Sequence, residues 1–276
     1  MAVKSEYNFE MNETLKTMAA HSSKRKYKKQ AIDDKLLYEI INAARQAPTS
    51  SNLQAYSIIV VRDQAKKKAL AKLCGDQPWI ESCPVFLAMC PDLRRLEKVA
   101  ARQDYSFLDQ YIELFIVATV DTALVAQNIL TGAESLGLGG VMIGGVRNNP
   151  AEVARLLELP DRVFPLMGMC LGWPDLGRPD HSPMIKPRLQ PEVIIHRERY
   201  NEDRLNEYLG EYDKIIKATG LYDGPRRKVP SPIGKEIPDD EYSWCEHTAR
   251  RLATTAPGVL RSHLRQFLLD RKIGLG

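Results

Sequence analysis

The sequence predicts a protein of the α/β or α+β class, in which short strands alternate with helices around a sheet. Three observations predict it: short runs rich in β-branched or other apolar residues, segments of helical periodicity between them, and one long apolar segment at 110–136. Apolar residues make up 44% of the 276-residue chain, and glycine and proline are used at ordinary levels, which excludes disordered and collagen-like proteins. The chain is long enough for one large domain or two small ones.

Four elements are predicted in the first third of the chain. The segment 33–45 predicts a helix with one apolar face, and Asp33 is a suitable N-cap. The β-branched run at 57–61 predicts a buried strand, and 64–73, rich in Lys, Ala and Leu, predicts a surface helix. A second buried strand is predicted at 84–90.

The middle of the chain predicts a central helix followed by further strands. The segment 110–136 is apolar almost all round, so we expect a helix buried in the core. Strands are predicted at 137–145, where glycines bracket the run, at 165–173 and at 193–196. No strand is predicted after residue 196.

From Tyr200 onward, charged helices replace the strands. These helices are predicted at 202–217, 244–252 and 258–272, on both sides of a Gly/Pro/Lys/Arg loop at 224–232. The predicted division is a lead-in at 1–20, a sheet-containing core at 21–200 and a helical extension at 201–276. Because the extension cannot bury much surface by itself, we expect it to pack on the core or on a partner subunit.

Charge and cysteine content favour a cytoplasmic protein that binds neither membrane nor nucleic acid. The 39 Lys and Arg residues exceed the 35 Asp and Glu residues by four, a mild excess. The five cysteines include no Cys-x-x-Cys pair, which is typical of reduced thiols, and no metal-ligand spacing is found. Charges scattered through 1–24 exclude a secretory signal, and the uncharged stretches are shorter than a membrane span.

A basic segment at 21–29 is the first candidate binding feature. It contains His21, Ser22, Ser23 and Arg25 among several lysines. A guanidinium and neighbouring hydroxyls match the oxygens of a phosphate, so His21 and Arg25 could bind one. A solvated basic stretch and a nucleic-acid-binding arm are the alternatives.

Two further motifs, the loop at 47–54 and the glycine cluster at 137–145, are each ambiguous when taken alone. The loop at 47–54, rich in Ser, Thr, Asn and Gln, could hydrogen-bond a polar ligand or simply join a helix to a strand. The glycines at 137–145 do not form a dinucleotide-binding fingerprint, because Met142 stands where the third glycine is needed and the strand follows the glycines. Gly144 and Gly145 could admit a flat ligand or form a tight turn.

These motifs, taken in order, resemble the FMN-dependent nitroreductase family, in its NADPH-preferring flavin reductase and nitroreductase branch. The resemblance spans nearly the whole chain and is carried by five segments, 21–27, 47–54, 133–148, 170–174 and 186–189. It implies an α+β, nitroreductase-like fold: a central mixed β-sheet wrapped by helices, with a helical C-terminal extension. It also implies a homodimer with one FMN at each end of the interface.

The resemblance assigns cofactor contacts residue by residue. The FMN phosphate and the flavin edge would be held by His21, Ser22, Ser23, Arg25, Lys186 and Arg188. The opposite subunit would contribute Thr49, Ser50, Asn52 and Gln54. The isoalloxazine ring would be lined by Gln77, Ile143, Gly144 and Gly145. The NADPH 2′-phosphate would meet Arg226 and Arg227. No catalytic side chain and no metal are implied.

Two positions depart from the branch. Ser22 stands where the branch often has Arg, so one phosphate contact is lost or shifted to Lys24. Met142 stands where the branch often has an aromatic residue next to the flavin, so the acceptor preference is expected to differ.

The implied activity is the transfer of two electrons from NADPH to nitroaromatics, quinones or related acceptors by a ping-pong mechanism. One alternative is an NADPH-FMN reductase that supplies reduced flavin to a partner enzyme. An alternative of a different class is a basic module without catalysis that binds nucleic acid or protein through residues 24–29.

Overall fold

A computed structural model describes residues 10–175, 177, 185–224, 228–254 and 260–274. The chain divides into two compact units, one formed by Met1–Met184 with His263–Gly276 and the other by Ile185–Ser262. The end of the chain therefore returns to the first unit.

In the residues that the structure describes, the first unit contains four strands and eight helices. The strands are β1 Tyr56–Val61, β2 Val85–Pro91, β3 Gly139–Ile143 and β4 Met167–Gly172. The helices are α1 Glu13–Ala19, α2 Asp34–Ala44, α3 Gln64–Leu73, α4 Pro78–Ser82, α5 Arg94–Arg102, α6 Ile112–Ser135, α7 Pro150–Leu156 and α11 Leu264–Asp270. Short 3₁₀ turns lie at Ser50–Asn52 and Gly144–Arg147.

The sheet has the strand order β1-β2-β4-β3, and every pairing is antiparallel. In this register Tyr56 lies opposite Pro91 and Gly140 lies opposite Leu171. All seven residues of β2 are buried, because helices cover both faces of the sheet. The resemblance implied a mixed sheet, and the described strands differ from it in this respect, since none pairs in parallel.

Helix α2 forms as its sequence predicts. The Asp33 carboxylate accepts hydrogen bonds from the backbone of Lys35 and Leu36, which fixes the start of the helix. Leu37 and Ile40 then point into the core. The strands at 57–61 and 84–90 and the helix at 64–73 are likewise confirmed to within one residue at each end.

Helix α6 is the central core helix, and it also carries an exposed apolar stripe. It is long and apolar enough to cross a membrane by length and composition, yet nine of its residues are buried against the sheet and α2. Its four exposed apolar residues lie four positions apart, on one face: Ile112, Ile116, Val120 and Leu124. The expectation of burial all round is therefore wrong for this face.

Arg162 binds the chain just after helix α11 and holds this helix against the rest of the first unit. The guanidinium pairs with Glu97 at 2.9 Å and with Asp109 at 2.5 Å, and it donates to the carbonyl of Lys272 at 2.7 Å. Phe267 and Leu268 of α11 are buried in the core. The structure thus begins its second unit at residue 185, not 201, and assigns the last helix to the first unit.

The second unit contains α8 Pro191–Ile194, α9 Leu205–Ala218 and α10 Trp244–Ala253. Helices α9 and α10 pack through the rings of Tyr212 and Trp244, whose centroids are 5.3 Å apart. The prediction of a strand at 193–196 is wrong, because residues 193 and 194 form the end of a single helical turn that begins at Pro191. Pro191 at the first helical position has its backbone angle preset for a helix, and no described strand of this unit is available for pairing.

Candidate functional site

The basic segment at 21–28 is fixed against the β3 side of the sheet. The backbone N–H of Lys24 donates to the carbonyl of Gly140, and that of Lys28 donates to the carbonyl of Trp173, both at 2.9 Å. The ring of Tyr27 lies against Gly172, where a Cβ atom would come within 2.6 Å of it. Burial raises the pKa of the Tyr27 hydroxyl, so this group stays neutral. The segment is therefore an ordered part of the fold.

His21 is oriented by the carboxylate of Glu134, which was not among the site residues predicted from the sequence. Its Nδ1 lies 2.7 Å from Oε1 of Glu134, which stands in the last turn of α6 and is 12% exposed. Because Nδ1 is occupied by Glu134, Nε2 is the nitrogen left to meet a ligand. The only sequence signal was a lone carboxylate at the end of an apolar helix.

The side chain of Lys24 places a positive charge beside Ser22. Ser22 is buried, and Nζ of Lys24 donates to its hydroxyl at 2.7 Å. The ammonium group of Lys24 therefore lies next to the Ser22 hydroxyl.

Arg25 lies over an aromatic ring. Its guanidinium carbon is 5.6 Å from the ring centroid of Trp79, and among the described residues it forms no ion pair. The indole Nε1 of Trp79 is buried, and no hydrogen-bond acceptor is found for it in the described part of the chain. An unpaired cation next to an unsatisfied buried donor is an arrangement that suits an anionic or acceptor-rich ligand.

Gln77 and Gly145 pack directly against each other. Gln77 is the N-cap residue of α4, two positions before Trp79, and its Nε2 donates to the carbonyl of Cys74 at 2.8 Å. A Cβ atom on Gly145 would lie 2.7 Å from that Nε2 and 2.4 Å from the Cys74 carbonyl, so only glycine fits. The structure thus brings Arg25, Gln77 and the 143–145 segment into one region.

The loop at 49–54 lies elsewhere in the same chain. It leads into β1 at one edge of the sheet, whereas Gly144 and Gly145 follow β3 at the other edge. With β2 and β4 between them, strands β1 and β3 are separated by about 14 Å. Thr49, Ser50, Asn52 and Gln54 are therefore not assembled with the 21–25 segment within one chain.

Lys186 and Arg188 belong to the second unit and are exposed. The residue between them, Pro187, accepts a hydrogen bond from the hydroxyl of Tyr212 at 3.0 Å, which ties this segment to α9. Arg226 and Arg227 lie outside the described residues.

The chain on either side of 225–227 is anchored. Before it, the ring of Tyr222 stacks on His247 with centroids 4.4 Å apart. After it, the backbone N–H of Val229 donates to the hydroxyl of Tyr242 at 2.8 Å, and Lys228 pairs with Asp239. Burial lowers the pKa of His247, so its ring is neutral at physiological pH.

Comparison with known proteins identifies the family of this chain. A model described as the nitroreductase family matches residues 18–173, which is more than half of the chain. The chain belongs to the nitroreductase family. A second model, the C-terminal domain of the nitroreductase family, matches residues 186–275 and begins next to the start of the second unit.

Relatives within the nitroreductase family cover most of the chain. The chain is 40% identical over 208 residues to an NADPH-flavin oxidoreductase of Vibrio harveyi, covering 75% of this chain and 82% of the relative. It is 38% identical over 208 residues to an oxygen-insensitive NADPH nitroreductase of Salmonella typhimurium, covering 73% and 83%.

A solved nitroreductase-family structure has the same fold. It is the NADPH:FMN oxidoreductase of Vibrio harveyi in complex with NAD⁺, which is 33% identical. It covers 96% of this chain and 100% of its own, with a TM-score of 0.80. The α+β, nitroreductase-like fold expected from the sequence is confirmed.

Proposed function

We propose that this chain is an FMN-dependent oxidoreductase that transfers two electrons from NADPH to nitroaromatics, quinones or related small-molecule acceptors. The observation that carries the proposal is the ordered group of cations and hydroxyls at 21–25, of which Arg25 lies over the ring of Trp79. The relatives named as NADPH-flavin oxidoreductase and NADPH nitroreductase support the same activity.

The residues present suit the phosphate of FMN. Hydroxyl and cationic donors are supplied by Ser22, Ser23, Lys24 and Arg25. Because Glu134 binds Nδ1 of His21, Nε2 of that ring faces away from Glu134. A dianionic phosphate needs several convergent donors, and the Arg25 guanidinium, which has no ion pair within the described ranges, is the strongest of them. The buried indole N–H of Trp79 is a further donor without an acceptor among the described residues.

The protein contributes position and charge to the reaction. When bound, FMN supplies the hydride chemistry that links NADPH to the acceptor. Gln77 and Gly145 fix the backbone that would lie against the flavin ring. Lys186 and Arg188 supply positive charge for the edge of the ring, and Arg226 and Arg227 recognise the 2′-phosphate of NADPH.

We propose that the active form is a homodimer in which the 49–54 loop of a second copy completes each site. The separation of this loop from the 21–25 segment within one chain supports the proposal. So does the stripe on α6, where Ile112, Ile116 and Val120 are each between 46% and 49% exposed in the single chain. Contiguous exposed apolar residues mark protein interfaces. We place the protein in the cytoplasm, where its thiols remain reduced.

The proposal is tested by the colour and kinetics of the purified protein. We expect flavin absorbance in the visible blue and NADPH oxidation that depends on an added acceptor. A colourless protein with salt-sensitive affinity for nucleic acid would instead support a non-catalytic basic module.

A second candidate function is that of an NADPH-FMN reductase supplying reduced flavin to a partner. The relative named NADPH-flavin oxidoreductase favours it. The two functions are separated by comparing kcat/KM for free FMN with kcat/KM for a nitroaromatic and a quinone at the same NADPH concentration.

A further inference from the structure

The loop at 49–54 adopts an unfavourable backbone conformation. Ser51, Asn52 and Gln54 have φ angles of 47°, 58° and 52°, in the left-handed region that residues with a Cβ atom avoid. Such a conformation persists only where surrounding groups hold it, and it is found most often at functional sites.

One buried carboxylate joins the two ends of this loop. Asp121, on α6, is 1% exposed. Its Oδ1 accepts the backbone N–H of Ser50 at 3.0 Å, and its Oδ2 accepts the backbone N–H of Ala55 at 3.1 Å. A single side chain therefore sets the distance between Ser50, near the start of the loop, and Ala55, directly after its end.

One guanidinium holds the carbonyl groups on the exit side of the loop. Arg95, on α5, donates to the carbonyl of Gln54 at 2.9 Å and to that of Tyr56 at 3.1 Å. Arg95 is itself held by Asp92, which is buried and lies 3.1 Å away. The backbone N–H of Asp92 donates to the carbonyl of Ala55 at 2.9 Å.

The polar side chains of the loop are left exposed by this arrangement. Ser50, Asn52 and Gln54 are all exposed, and the contact between Gln54 Nε2 and Asn52 Oδ1, at 3.3 Å, is a weak one. From the inside of the loop, Asp121 binds the backbone N–H groups of Ser50 and Ala55, and Arg95 binds the carbonyl of Gln54. The hydroxyl and amide side chains therefore face outward, where a ligand can reach them.

We propose that Asp121 and Arg95 are positioning residues that hold the 49–54 loop in the shape in which it contacts FMN. This inference rests on the proposed function of the loop and adds to it the residues that preorganise the loop. Neither residue touches the ligand in this proposal. Both act through the backbone of the loop, which lowers the entropy lost when the ligand binds.

The test compares three variants of the full-length protein. Asp121→Asn keeps the size of the side chain but offers a second donor where an acceptor is needed. Arg95→Met keeps the aliphatic stem and removes the donors. Thr122→Val is the matched control, because Thr122 is also fully buried on α6 and its hydroxyl, among the residues described, bonds only to the Ala118 carbonyl of the same helix.

Two measurements are made on each variant. FMN is titrated into the flavin-free protein, and hydrogen exchange is followed at the amides of Ser50 and Ala55. We expect FMN to bind about tenfold more weakly to Asp121→Asn and Arg95→Met, and within about twofold of wild type to Thr122→Val. We expect faster exchange at 50–55 in Asp121→Asn and in Arg95→Met, but not in the control.

The proposal is overturned if Asp121→Asn and Arg95→Met bind FMN as tightly as Thr122→Val does, or if exchange at 50–55 is unchanged. Should Asp121→Asn fail to fold, Arg95→Met carries both measurements, since the Arg95 side chain is 48% exposed and Asp92 keeps its hydrogen bonds from the Ser57 hydroxyl and from the backbone N–H of residue 95. A wild-type protein that binds no FMN contradicts the proposed function instead, and the exchange data then still decide whether Asp121 and Arg95 hold the loop.

Discussion

Arg25 is the residue on which the proposed cofactor site most depends. Its guanidinium has no ion pair among the described residues and is held over the ring of Trp79. The cation is thus placed in a fixed direction without being neutralised, which is the state that a phosphate-binding residue needs.

Arg25→Ala is expected to leave a folded protein that loses FMN during purification. Removing a charge-assisted contact to phosphate weakens binding by about tenfold or more. The measurement is the ratio of flavin absorbance to protein absorbance after gel filtration. Lys29→Ala is the control, since it removes the same charge from an exposed position in the same segment, and a yellow Arg25→Ala protein would contradict the assignment.

The cysteines are expected to be unreactive in the native protein. All five are described and none forms a disulfide. Burial raises the pKa of Cys90 to about 12, and burial with a hydrogen bond to Asp213 raises that of Cys245 to about 11. Because the thiolate is the reactive form, a thiol reagent at pH 8 should label the protein slowly, and all five positions rapidly in denaturant. Rapid labelling of the native protein would show that these pKa values are wrong.

At the scale of elements, prediction from sequence succeeds where the signal is local. Helix α2 begins where predicted because Asp33 bonds to residues two and three positions away. The short α4 and α5 were not predicted, because α4 has only five residues and α5 lacks a side-chain cap. The segment 193–196 has strand composition. Its conformation is decided by a proline before it, together with the lack of a partner strand in the part of the second unit that the structure describes.

Site residues whose partners are distant in sequence could not be predicted. Glu134 meets His21 across 113 positions, and Asp121 meets Ser50 across 71. Both pairings depend on helix α6, which carries Asp121 near its middle and Glu134 in its last turn. The sequence indicated which groups could bind a ligand, and the fold shows which groups orient them.

The Arg162 ion pairs are expected to stabilise the attachment of α11 in a pH-dependent manner. The hydrogen bond from Arg162 lowers the pKa of Glu97 below its usual range. A lowered carboxyl pKa contributes stability that is complete above the pKa of the unfolded chain, about 4.3, and that is lost as the pH falls through the folded value.

Arg162→Met is therefore expected to lower the free energy of unfolding by about 2 kcal/mol at pH 7, and by less at pH 3. Urea unfolding at the two pH values measures this difference. An equal loss of stability at both pH values would mean that the ion pairs with Glu97 and Asp109 are not its source.

For the whole molecule, the stripe on α6 predicts assembly. Ile116→Glu places a charge in the middle of the exposed row and should convert a dimer into a folded monomer that no longer retains FMN. Sedimentation velocity and flavin absorbance measure the two effects. Tyr38→Glu, at another exposed position, is the control, and a dimeric, yellow Ile116→Glu protein would place the interface elsewhere.

The second unit is expected to determine the preference for NADPH. Arg226 follows Tyr222 and precedes Lys228, both of which are anchored by described contacts. Arg226→Ala should raise KM for NADPH far more than KM for NADH, because only NADPH carries the 2′-phosphate. Equal changes for the two cofactors would argue against this role.

The return of the chain to the first unit has a consequence for truncation. A stop codon or proteolytic cut between residues 185 and 263 that releases the C-terminal part also removes α11, and with it Phe267 and Leu268 from the core. Shortening the protein from its C-terminus would therefore damage the core of the first unit before the whole second unit had been removed. To obtain the first unit alone, residues 185–262 have to be deleted and residue 184 joined to residue 263 through a linker. The two units can therefore be separated by an internal deletion but not by a truncation.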